Sequence, residues 1–150
     1  MRSVLGVIAI AAGVSACTDP ADSIRVSDTA GPGSAILSAF DAGVMFADVC
    51  LTRRPNFEDA YQGLSGFPVT QNARTGTYYH NTANLSVKVT SAQCSMVYGT
   101  NSKVDDTVSG LAQGSASILQ GPAPAGINVN SNIGPDGLRY FRLGIQSPVQ

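Results

Sequence analysis

The 150-residue sequence has no tryptophan, one histidine and three cysteines, and only 13% of its residues are charged. An ordinary soluble protein carries about 25% charged residues. The net charge of −1 supplies no basic stripe for a phosphate backbone, so no nucleic-acid partner is expected. No apolar run reaches the ~18 residues that a membrane-spanning helix needs. The patterns HExxH, GxSxG, SxxK and GxxxxGK(S/T) are missing, which removes the sequence basis for a zincin site, a nucleophile elbow or a phosphate-cradling loop. There is no CxxC, and two distant cysteines with the lone His80 are too few for a structural zinc site. The reading therefore expects no metal, no cofactor and no catalytic residue. The length suits one domain.

The apolar residues that are present are unevenly placed. Residues 1–16, MRSVLGVIAIAAGVSA, hold a single charge, Arg2, then a short apolar stretch ending in small residues. That is the layout of a secretory signal. A buried N-terminal helix is the alternative, but the segment has no polar face.

Val14-Ser15-Ala16-Cys17 resembles the lipobox of bacterial lipoproteins, an aliphatic residue and two small ones before a cysteine. The resemblance extends over the targeting segment alone. It implies that Cys17 receives a diacylglyceryl thioether, that the chain is cut between Ala16 and Cys17, and that the new amino group is acylated. Ordinary cleavage after Ala16 is the rival. Two or three acyl chains hold a protein on a bilayer far longer than one, so the first expected partner is the membrane, through this lipid anchor. Thr18 stands where the inner-membrane retention signal of enteric lipoproteins has Asp, which implies the outer membrane, facing the periplasm. Residues 17–34 are the lipidated N-terminus and a tether rich in Ser, Thr, Asp, Gly and Pro, giving the domain reach.

With Cys17 assigned to lipid, Cys50 and Cys94 remain. An even pair in an oxidising compartment reads as one disulfide. A catalytic thiol would have to stay reduced there.

Residues 35–150 read as a small single α+β domain, with N-terminal helices packed on a three- to four-stranded antiparallel sheet. Ser34 is placed to cap a helix from Ala35 to about Cys50, with Ile36, Leu37, Phe40, Val44 and Val49 at helical spacing. A shorter helix follows Asn56, with Phe57, Ala60, Tyr61 and Leu64 as its apolar stripe. From Thr75 the period becomes two. Thr77–His80 and Leu85–Thr90 form a hairpin, with Leu85, Val87 and Val89 facing one way and Ser86 and Lys88 the other. Cys94–Gly99 is a third strand. A helix capped by Ser102 follows, weakened by Gly110 and Gly114 and expected to break in two. Residues 121–137, GPAPAGINVNSNIGPDG, read as a long loop, and Leu138–Ile145 as the last strand.

Candidate sites are few. His80 is a candidate base or ligand contact; a partly exposed polar residue at a hairpin edge is the simpler reading. Glu58-Asp59 and Asp105-Asp106 sit at helix starts, where they complement the dipole. Tyr78, Tyr79, His80, Tyr140 and Arg142 lie on strands and are the candidate interaction residues, because Tyr and Arg are enriched in protein interfaces. The functional expectation is a non-catalytic binding or structural module of the envelope, possible partners including an envelope protein. The alternative is an inhibitor of an extracytoplasmic enzyme, with the 121–137 loop as the inserted element. Mass spectrometry of the mature protein is expected to find acyl groups on Cys17. A Cys17→Ser variant is expected to leave the membrane fraction; one that stays there contradicts the anchor.

Overall fold

A computed structural model describes residues 33–147. The signal segment, Cys17 and nearly all of the tether lie outside the described residues. The architecture is α+β, with helices α1 (Ala39–Phe46), α2 (Ala60–Leu64) and α3 (Val104–Leu119). The sheet is six-stranded, not three- or four-stranded, with every neighbour antiparallel and the order β1-β2-β3-β4-β6-β5. The strands are β1 (Val69–Gln71), β2 (Tyr78–His80), β3 (Leu85–Val89), β4 (Gln93–Thr100), β5 (Asn128–Ile133) and β6 (Arg139–Gln146).

The alternation expected along β3 does form one face, and β4 and β6 continue it. Leu85, Val87, Cys94, Met96, Tyr98, Phe141, Leu143 and Ile145 are buried in a single core with Met45, Phe46 and Val49 of the first helical segment. Both strands missing from the sequence reading are edges. β1 has three residues, too few for a period. β5 takes the middle of the expected 121–137 loop, because pairing with β6 supplies the ladder that its three asparagines, poor strand formers, do not favour by themselves.

The helices start and stop differently from the expectation for physical reasons. Ala35 forms a parallel bridge with Ala83, so the chain is extended there and the cap moves to Ser38, whose Oγ accepts from the Asp41 N–H at 3.0 Å. The first helix continues as a π-helical turn, Ala47–Leu51. Phe57 has φ +55° and is buried, so the second helix begins only at Ala60. Its Tyr61 is exposed rather than part of an apolar stripe.

α3 is one unbroken helix of 16 residues. Its glycines are contact points: a Cβ on Gly114 would overlap the Phe40 carbonyl oxygen, and one on Gly43 of α1 would overlap the Leu111 carbonyl. The buried face of α3 is accordingly made of Thr107, Leu111, Gly114 and Ser115, and the Ser115 hydroxyl donates to the Gly43 carbonyl at 3.1 Å. The spacing of Val104, Val108, Leu111, Ile118 and Leu119 reads as one apolar side, but the structure divides it: Leu111 is buried and Leu119 packs against the core, while Val104, Val108 and Ile118 are exposed.

The Cys50–Cys94 disulfide joins the end of the first helical segment to β4 across 44 residues. Both cysteines are fully buried. Loop-closure entropy for that span gives a stabilisation on the order of 4 kcal/mol. The double variant Cys50→Ala/Cys94→Ala is therefore expected to lose about 3–4 kcal/mol in denaturant unfolding. An unchanged midpoint would show that the bridge does not brace the domain.

Candidate binding face of the sheet

The helices lie on one face of the sheet, and side chains pointing the other way are carried by the alternate residues of each strand. The register aligns them in rows. Thr70, Tyr79, Ser86, Val97, Arg142 and Asn130 follow one another across the sheet, each opposite the next. A second row includes Lys88 and Ser95, paired directly. Tyr79, Ser86, Val97 and Arg142 of the first row and Lys88 and Ser95 of the second, together with Thr75, Thr77, Thr90 and Gln93, line an open groove of about 570 Å³.

The groove has a distinct chemistry. Its lining is dominated by hydroxyl groups, with the Gln93 amide, the Tyr79 ring and two cations, Lys88 and Arg142. Among the described residues, no Asp or Glu lines it. Ser86 and Val97 at its floor are buried while Lys88 is exposed, so the cationic head of Lys88 stands at the rim. Two cations in one concavity focus a positive potential on it.

The five candidate interaction residues separate between the two faces. Tyr79 and Arg142 share one row of the groove. Tyr78 lies on the opposite face, packed against the core. Tyr140 is on the groove side but only 2% exposed. Its hydroxyl accepts from the Asn84 amide at 3.3 Å and donates to the Asp136 carboxylate. Gly99, between Asn84 and Tyr140 in the register, leaves them room: a Cβ there would come within 2.9 Å of the Tyr140 ring. The Tyr140 bond is the main reason the Asp136 carboxyl is held below its ordinary range. Tyr140 therefore secures the β5–β6 turn.

His80 is buried at 7% exposure, not partly exposed at an edge. Its Nδ1 accepts from the Ala83 N–H at 3.0 Å and the Thr82 N–H at 3.3 Å, closing the β2–β3 turn, so the neutral ring carries its proton on Nε2. Burial lowers its pKa below 6.5. Neither its position nor its bonds bring it to the groove.

Lys88 was not singled out by the sequence reading. The available signal was the alternation that set Ser86 and Lys88 opposite Leu85 and Val87. Comparison of the chain with protein families, with curated proteins and with solved structures finds no match.

Because the folded pKa of His80 lies below its unfolded value, the unfolded chain binds the proton more readily. Its contribution to stability is complete above about pH 6.5 and is lost as pH falls through the folded pKa. A His80→Gln variant, which keeps an acceptor but does not titrate, is expected to flatten that acid-side decline in a melting series. An identical pH profile would contradict this role.

Proposed function

We propose that this chain is a lipid-anchored protein of the bacterial envelope whose domain is a binding module, and that the open face of its sheet takes a polar, anionic ligand. The observation that carries the reading is the groove in which Lys88 and Arg142 stand among hydroxyl groups, with no carboxylate among the described residues of the lining. A guanidinium matches a carboxylate bidentately, and hydrogen bonds to charged groups contribute about 1.5–3 kcal/mol each. Hydroxyls, an amide and the amphipathic ring of Tyr79 suit a hydroxyl-rich ligand. An acidic oligosaccharide combines both requirements.

The anchor rests on Val14-Ser15-Ala16-Cys17 and on the Ser- and Gly-containing stretch after it, which would let the domain reach from the bilayer surface. Binding is favoured over catalysis by the engagement of His80 in its own turn. The inhibitor alternative drew on a long inserted loop at 121–137, and Asn128–Ile133 of that segment is a paired strand.

Titration of the full chain with an oligogalacturonate tests the ligand class. Lys88→Ala, a change at an exposed rim position, is expected to weaken binding about tenfold, the equivalent of 1.4 kcal/mol, and added salt to weaken it further. Binding that ignores both salt and Lys88→Ala would contradict the proposal.

A further inference from the structure

Half of the eight large apolar residues exposed in the described domain are gathered in one place. Four of the large ones, Val104 and Val108 of α3 and Val129 and Ile133 of β5, are 40–58% exposed and meet along one edge. Val108 and Val129 share one cleft, and Val104 and Ile133 share another. Beside them β5 is an edge strand, exposed at all six positions and paired on one side only. Edge strands are ordinarily protected by shortness, charge, proline or a bulge. The other edge, β1, has three residues and follows Pro68. Asn128–Ile133 has neither charge nor proline, and its register with β6 runs without a break.

We infer that β5 pairs with the β5 of a second copy of this chain, joining two sheets edge to edge about a two-fold axis through Ser131. The commitment to a second copy comes from self-complementarity. β5 places Val129, Ser131 and Ile133 on the helix side of the sheet and its asparagines on the groove side. An antiparallel pair centred on Ser131 sets Val129 opposite Ile133 of the other copy, and Ile133 opposite its Val129. The asparagines at 130 and 132 then meet on the other face. The two-fold keeps both α3 helices on one side of the joint sheet, so the apolar strip of each copy continues into that of its neighbour. Such an isologous contact closes on itself and stops at a dimer.

Positive charge opposes the contact, from Arg139 and from Lys103, which lines the Val104–Ile133 cleft. Arg139 reaches across to the Ser131 hydroxyl at 3.4 Å, and a second copy brings a second guanidinium to the axis. Both are in solvent contact and screened by ions, so pairing strengthens as salt rises. This is opposite in sign to the salt response of the groove, which keeps the two readings separable.

Cysteine cross-linking of the full chain in its membrane reads the geometry directly. Ser131→Cys sits on the axis and is expected to give a disulfide-linked dimer on a non-reducing gel after mild oxidation. Asn128→Cys is three residues from the axis in each copy, which separates the two sulfurs by roughly 20 Å, and is expected to give none. Adding Ile133→Lys at an exposed position in the Ser131→Cys background is expected to abolish the dimer while the circular dichroism spectrum of the folded chain is unchanged. Absence of a Ser131→Cys dimer, or equal dimers from the two single variants, overturns the inference.

Discussion

The close approach of α1 and α3 is the constraint on which the rest of the domain depends. Gly43 and Gly114 bring the helix backbones so near that a methyl group at either position would overlap the partner's carbonyl oxygen. Glycine in a helix is unfavourable by up to about 1 kcal/mol against alanine, and here that loss is offset by close packing. The two helices act as one slab. Tyr98 fastens the slab's leading edge to the sheet by donating to the Leu37 carbonyl at 2.6 Å, and burial pushes its phenol pKa up. The disulfide fastens the far end.

A slab attached to one face leaves the other face free for a different task. The covered rows carry aliphatic and aromatic residues, and the uncovered rows carry Tyr79, Ser86, Lys88, Ser95 and Arg142. The period of two along β3 and β4 is thus the division between core and groove. His80 and Tyr140, residues with evident chemical capacity, instead hold the β2–β3 and β5–β6 turns, at the same end of the strands, through hydrogen bonds to Ala83, Thr82, Asn84 and Asp136. They make the face rigid and do not line it.

What the sequence made legible follows from where periodicity is strong. The α+β class, the strands β2, β3, β4 and β6, and the Cys50–Cys94 bridge could all be read, because each rests on alternation or on cysteine parity. The edges could not. β1 is too short to show a period, and the asparagines of β5 disguise a strand that exists through its partner β6. Helix boundaries shifted where tertiary contacts intervened, as at the Ala35–Ala83 bridge and at Phe57. α3 misled because its packed face sets the small residues Thr107, Gly114 and Ser115 beside Leu111, while its valines face outward. The site was half legible: Tyr79 and Arg142 were singled out by residue type. Lys88 was visible only as the polar partner of an alternation.

The central claim is that one face of the sheet holds the fold together and the opposite face binds. Its most direct test is residue-resolved NMR of the chain during titration with an oligogalacturonate. The account predicts amide shift changes on Tyr79, Ser86, Lys88, Ser95 and Arg142, with α1 and α3 unaffected. Changes concentrated on the helices, or none at all at saturating ligand, would contradict it.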